Sequence, residues 1–337
     1  MMTKAHSIKR AASLYSFQEE YFLGKLNLED LLATCQQLDI PGVEIIGEQM
    51  IPGYPHLPDA FFEQWHGWMD QYGLTPVCLD QFIFPQIYKG RRMTEDEMVA
   101  SLQEDIRVAS RLGCSIIRVQ HSITSSILER ALPAAEKAGI SLDVEIHAPN
   151  TLEHPFEQEL IRTIERMGSP YLGFVLDLGI FTSRFPRIIT DAWLRKGMKP
   201  EIADFISDSY DRGQMEQLED GIRARGGTQD DLDVAFFAKH LVSSDPRKLL
   251  PYMQYIHHVH AKFNDMTDEG WVDSIRYEEI IPVLVEGGFS GYLSSEYEGG
   301  WYLQDAFVVD AVEQVRRHQL MLKHLLGEDE QAAGKGA

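Results

Sequence analysis

The sequence predicts a closed (β/α)8 barrel with a helical insertion after its sixth strand. Three observations lead there. Short β-rich runs alternate with longer amphipathic stretches, which implies a parallel sheet. Eight such units can be counted, the number that closes a TIM barrel. The alternation breaks once, between residues 182 and 250, and then resumes. A doubly wound sheet fits less well, because no G-x-G-x-x-G or P-loop follows the first strand. No short-period repeat of the solenoid kind is present.

The elements follow in order. "RAASLYSF" (10–17) reads as the first strand and "LEDLLATCQQLD" (28–39) as an amphipathic helix. "GVEIIGE" (42–48) is the second strand, and the helix of 57–73 stops at Gly73. "TPVCLD" (75–80) is the third strand. The helix of 94–113 opens with Thr94 three residues before Glu97, a capping-box spacing, and ends at Gly113. "CSIIRVQ" (114–120) is a strand and 126–139 a helix. "LDVEIHAPN" supplies strand five, 156–168 a helix, and "YLGFVLDLG" (171–179) strand six. Residues 182–250 hold several short helical segments and no clear strand. "MQYIHHVHAKF" (253–263) is strand seven, 277–288 a helix, "GYLSSEYEG" (291–299) strand eight, and 306–327 a final long helix. The expectation is one barrel domain over 1–326, with a disordered tail at 327–337.

The bulk numbers exclude several classes. The chain has 337 residues, 44% of them hydrophobic, and a formal charge of -21. So negative a surface disfavours nucleic acid and anionic membranes as partners. Cys35, Cys78 and Cys114 form no C-x-x-C pair, and three cysteines make no disulfide framework. The basic N-terminus lacks the apolar stretch of a signal peptide. No apolar run approaches the ~20 residues of a membrane span. A cytoplasmic protein is expected.

The active site of such a barrel lies at the C-terminal ends of the strands. Strand five carries Glu145 and His147, two apart and therefore on one face. A buried carboxylate beside a buried imidazole needs compensation. Strand six ends at Asp177, strand seven holds His258 and His260, and strand eight Glu296 and Glu298. Carboxylates plus one imidazole suit Mn²⁺, Mg²⁺ or a similar divalent ion better than structural zinc. The expected ligands are Glu145, Asp177, His260 and Glu296, with His258 as the alternative on strand seven. Each residue alone has a plainer reading as an ion-pair or core partner. Four at successive strand ends favour the metal.

These stretches also carry a resemblance. "GVEIIGE", "VEIHAP", "VLDLG", "HVHAKF" and "GYLSSEYEG", in that order along nearly the whole chain, resemble the xylose isomerase-like TIM barrels. That superfamily holds sugar isomerases, ketose 3-epimerases, inosose dehydratases and endonuclease IV. The resemblance implies a metal between Glu145, Asp177, His260 and Glu296. "SLYSFQEEYFLGK", "GEQMIPGYP" and "LGIFTSRFPR" are more narrowly similar to the catalytic (alpha) subunits of bacterial C-glycoside deglycosidases. That likeness implies cleavage of the carbon–carbon bond between a 3-keto sugar and its aromatic aglycone. It also implies a small β-sandwich partner subunit; an oligomer is expected.

The chemistry these enzymes share begins with removal of a proton beside a carbonyl. His147 is the expected base, with orientation of Glu145 as its other reading. Lys262 is expected to polarise a substrate oxygen or to neutralise the acidic mouth, Glu296 joins the catalytic set, and Glu298 is a second acid–base candidate or a rim residue. Arg118, His121, His258 and Glu298 are expected to meet sugar hydroxyls, although Arg118 could equally pair with a core carboxylate. In strand two, Glu44 and Glu48 share a parity, so at least one should face inward. Phe82, Phe84, Tyr88, Phe181, Phe185, Trp301 and Tyr302 are expected around the mouth, where flat apolar faces suit sugars and aglycones. The alternatives are a sugar isomerase or epimerase, an endonuclease-IV-like enzyme, which the negative charge opposes, and a non-catalytic scaffold.

Overall fold

The computed structural model describes residues 6–121, 123–303 and 310–328. Eight parallel strands pair in chain order and close into a barrel. They are β1 Lys9–Ser13, β2 Gly42–Ile46, β3 Thr75–Asp80, β4 Ile116–Val119, β5 Ser141–Ile146, β6 Leu172–Asp177, β7 Ile256–Phe263 and β8 Tyr292–Tyr297. Closure runs through β1 and β8, from Lys9↔Tyr292 to Ala12↔Ser295. The expected fold is therefore the observed one.

Helices between the strands form the outer layer. Two of them start at reciprocal capping boxes, Asn27 with Asp30 and Thr94 with Glu97. Each box satisfies two backbone N–H groups that a helix start leaves orphaned. Large apolar side chains such as Trp65, Tyr277 and Phe174 fill the layer between sheet and helices.

The barrel interior is different. Its apolar filling is small: Ala11, Val77, Cys78, Ile116 and Val175. Buried polar residues accompany it along β2 to β8: Glu44, Asp80, Arg118, Asp177, His258, His260 and Glu296. Inward positions on successive strands thus stack ionisable groups beneath the C-terminal mouth.

The break in alternation is helical, as expected. Arg187–Arg195, Pro200–Asp211, Leu218–Ala224 and Gln229–Ala238 are α-helices, and a 3-10 segment spans Pro246–Tyr255. The helices enclose an apolar cluster of their own, with Ile202, Ile206, Leu218 and Ile222 at its centre.

Several strand ends differ from expectation: β2 stops at Ile46, before the helical turn Gly47–Met50, β5 at Ile146 and β6 at Asp177, and β1 and β7 differ as well. β1 stops at Ser13, and Leu14–Phe17 turns into a 3-10 helix. β7 begins only at Ile256, because Met253–Tyr255 still belong to the preceding 3-10 segment. In both places a short apolar run had no periodicity to separate strand from helical turn. The last helix is described from Ala311 to Leu325. Its expected start at 306–309 and the tail from 329 onward lie outside the described residues. No helix among them is long and apolar enough to cross a membrane.

Candidate active site and metal centre

His260 stands at the centre of the mouth. Its Nδ1 lies 2.9 Å from Glu145 Oε1 and 3.5 Å from Glu296 Oε1. On its other side, Nε2 lies 3.3 Å from Glu44 Oε1. Ligand atoms of Glu145, His260 and Glu296 all fall within 4.8 Å of one another. A carboxylate behind an imidazole that faces further carboxylates is the arrangement that orients histidine ligands of metals.

The register explains the convergence. His260 is paired with Asp177 and Ser294, and Lys262 with Glu296, so adjacent strands bring these side chains to one level. Asp177 nevertheless does not join the trio. Its Oδ2 takes an ion pair from Lys262 Nζ at 2.7 Å, and its Oδ1 accepts the Gly179 N–H at 2.6 Å. A Cβ on Gly179 would stand 3.0 Å from Asp177 Oδ1 and 3.1 Å from Lys262 Cδ, so the bare glycine lets this pair form. Lys262 also lies 3.1 Å from Glu298 Oε1 and 3.8 Å from Glu296 Oε2.

Protonation follows from these contacts. Burial works against a charged His260, but Glu296, Glu44 and Glu145 outweigh it and lift its pKa well above the ordinary value. For Glu145, burial is outweighed by Arg118 and His260, which hold the carboxyl well below its usual range. Burial pushes Glu296 up to about 8, with Asp177 and Glu298 adding to the rise and His260 and Lys262 opposing it. Lys262 stays charged, since Asp177 and Glu298 overcome its burial and raise its pKa. The Oε2 of Glu296 is buried without a hydrogen-bond partner. An orphaned carboxylate oxygen in a nitrogen-and-oxygen donor set fits a hard or borderline divalent cation.

Two other trios meet the same distances, Glu44–Cys78–His258 and Glu44–Asp80–His260. Part of each set is already engaged, although Glu44 Oε1 and His258 Nδ1 lack hydrogen-bond partners. His258 Nε2 lies 2.6 Å from Glu44 Oε2, and Arg118 Nε donates to Asp80 Oδ1 at 2.9 Å. Burial holds the Cys78 thiol well above its usual pKa, in the neutral form that metals do not take.

The remaining expected site residues fall as follows. β5 ends at Ile146, so His147 stands just past the strand. Its Nδ1 donates to the Ala148 carbonyl at 2.6 Å, and its ring packs 4.7 Å from that of His121. His121 lies 3.0 Å from Glu157, which is fully buried. Arg118 sits beneath Phe82, with Nη1 3.7 Å from Glu145 Oε2 as well as its Asp80 contact. It thus follows the core-pairing alternative. Of the two strand-two acids, Glu44 is fully buried, and Glu48 accepts the Phe82 N–H. Among the aromatics, Phe181 and Phe185 are buried, whereas Phe84, Tyr88 and Trp301 are exposed.

Sequence reasoning missed Tyr15, whose phenol burial and Glu298 push up to about 12. It lies in the 3-10 turn Leu14–Phe17, past the end of β1, where strand parity gives no signal. Asp80, the last residue of β3, did carry the strand-end signal. Asn264 lines the same cavity as His147, Asp177, Lys262 and Glu298.

Known proteins align with this chain over its length. The xylose isomerase-like TIM barrel family matches residues 32–324. A protein of Microbacterium sp named 3'-dehydrocarminate deglycosidase alpha subunit is 31% identical, over 99% of both chains. A C-glycoside deglycosidase alpha subunit of Microbacterium trichothecenolyticum is 31% identical, over 93% of this chain and 90% of that protein. Among solved structures, an L-ribulose 3-epimerase superposes with TM-score 0.58 at 13% identity, covering 98% of each chain. An IOLI protein with a binding zinc atom gives TM-score 0.54 at 15% identity, covering 95% of this chain and 99% of that one. At such identities the structural likeness shows the fold.

Proposed function

The chain belongs to the xylose isomerase-like TIM barrel family, and from that premise we propose that it is the catalytic subunit of a metal-dependent lyase. Its substrate is a 3-keto C-glycoside, and it breaks the carbon–carbon bond between sugar and aglycone. The observation that carries the proposal is the His260 nitrogen set between Glu145 and Glu296, with a buried Glu296 oxygen left over. The full-length likeness to deglycosidase alpha subunits narrows the substrate.

A divalent cation, Mn²⁺ first and Mg²⁺ second, held by Glu145, His260 and Glu296 with Asp177 as fourth candidate, would supply Lewis-acid stabilisation of charge developing on a sugar oxygen. His147 is the base. With its Nδ1–H committed to the Ala148 carbonyl, Nε2 is the nitrogen that accepts a proton. It takes the proton from the sugar carbon beside the 3-keto group, and that C–H electron pair moves onto the keto oxygen. As the carbonyl re-forms, the C1–aglycone bond breaks with its electron pair on the aromatic carbon. Lys262, held charged, returns a proton there. The products are the free aglycone and a 1,2-unsaturated 3-keto sugar. Arg118 holds Glu145 in place, while His121 and Glu298 flank the sugar.

A partner subunit, the small β-sandwich protein of the resembling enzymes, completes the enzyme, and the reaction runs in the cytoplasm. The charge of -21 argues against DNA as the substrate. The second reading, a ketose 3-epimerase, rests on two carboxylates flanking one imidazole, a pair suited to proton transfer on both faces of a carbon. The test supplies Mn²⁺, the partner subunit and a 3-keto C-glycoside, with ketohexoses in parallel. Released aglycone supports the lyase; inverted ketohexose without aglycone release replaces it with the epimerase.

A further inference from the structure

The cavity that Asp177 and Lys262 line has two unlike sides. One is polar and comes from the strand ends: His147, Asp177, Lys262, Asn264 and Glu298. The other is mainly apolar and comes from the helical insertion and the helix after β8: Ile189, Phe237, Leu241 and Tyr302. The insertion is anchored to the barrel. Arg187 pairs with Asp265 at 2.6 Å, and Ser183 N–H donates to the Ser274 carbonyl at 2.8 Å. Its wall is therefore preformed, supported from behind by the insertion's own apolar cluster.

Phe237 stands out on that wall. Phe237 is 38% exposed and lines the cavity, with its ring 6.5 Å from that of Tyr302, whereas the more exposed Phe236 beside it does not line it. Uncovered aromatic surface facing a cavity costs about 25 cal/mol for each Å² left in water, a cost an apolar ligand would relieve. The wall also carries polar groups, among them His240 and the Tyr302 phenol. His240 gives its Nδ1–H to the Phe236 carbonyl at 2.7 Å, which leaves Nε2 as an acceptor.

We propose that the insertion wall is the aglycone subsite: Phe237, Leu241 and Tyr302 hold the aromatic ring of the substrate, and His240 accepts a phenolic hydroxyl from it. The polar side takes the keto sugar. The insertion thereby selects glycosides over free sugars. This rests on the lyase reading, since an epimerase of free ketoses has no aromatic group to place there.

The test compares two reactions of the metal-loaded enzyme with its partner subunit. One is aglycone release from a 3-keto C-glucoside of a phenolic flavone. The other is solvent deuterium exchange beside the carbonyl of a 3-keto sugar lacking any aglycone. Phe237→Ala is expected to lower the ratio of the two kcat/KM values by about 10-fold, through KM, as loss of one aromatic contact would. His240→Ala is expected to penalise the phenolic substrate more than its methyl ether. Equal losses in both reactions, or none in either, would overturn the subsite while leaving the lyase reading standing. Wild-type exchange without aglycone release would instead sink the lyase reading, and the subsite with it.

Discussion

Strands β5 and β7 each carry an acid or a histidine at both ends, and the two pairs differ in what is left over. At the N-terminal end, Asp143 meets His257 Nδ1 at 2.9 Å, and Ser141 donates to Asp143 at 2.5 Å. One acid answers one imidazole. At the C-terminal end, His260 meets Glu145, Glu296 and Glu44, while Lys262 meets Asp177, Glu298 and Glu296. Carboxylates outnumber cations there, and oxygens of Glu44 and Glu296 lack hydrogen-bond partners. Two like charges 4 Å apart repel by about 4 kcal/mol at an effective dielectric of 20. The balanced end is a structural pair. The unbalanced end stores a charge deficit that a cation would cancel.

Substitutions at the two ends should therefore separate. The largest effect is expected from His260→Ala, which should lower kcat/KM by about 10³-fold by removing several kcal/mol of cation-dependent stabilisation. Asn at His257 should leave kcat/KM within about 3-fold, because a pair at the opposite end of the strands has no part in the transition state. Comparable losses from the two would erase the distinction. Next comes Glu44→Gln. It keeps the shape but weakens the acceptor behind His260, and should cost about 10–100-fold in metal affinity, read by titration with a chromophoric chelator.

Smaller effects belong to the balanced end. Gly173→Ala would put a Cβ 2.5 Å from both His257 Cε1 and the Tyr255 carbonyl. Stability should fall by about 1–3 kcal/mol in urea unfolding, with metal content per folded chain unchanged. The smallest effect is the pH dependence of His257. Burial lowers its pKa, but Asp143 outweighs burial and raises it above 6.5. The pair's contribution, on the order of 1 kcal/mol, is then complete below pH 6.5 and fades as pH climbs through the raised folded value. His257→Asn should flatten that slope above pH 6.5. An unchanged slope would show that the pair contributes nothing.

Much of this was legible in the chain and some was not. Alternation of strand and helix revealed the barrel, and strand-end position picked out Glu145, His260, Glu296 and Lys262, which the structure brings together. Parity on β5 was a poorer guide to His147, because the strand ends before it and the side chain follows the turn instead. The Glu44–His258 contact joins residues 214 apart, and no local pattern encodes such a cross-barrel meeting. Asp177 illustrates a different limit. Its position at the strand end was readable, but its capture by Lys262 depends on the missing side chain of Gly179. The insertion's helices could be read from periodicity, whereas the face that Phe237 turns to the cavity could not.

The most direct measurement is the metal content of the purified protein beside a Glu145→Gln, Glu296→Gln variant, by inductively coupled plasma mass spectrometry after dialysis against Mn²⁺. About one divalent ion is expected per wild-type chain, drawn to the donor set, with loss of it in the variant while the fold stays intact by circular dichroism. A wild-type chain that retains no ion, or a variant that holds it equally well, would contradict the assignment of the barrel mouth as a metal centre.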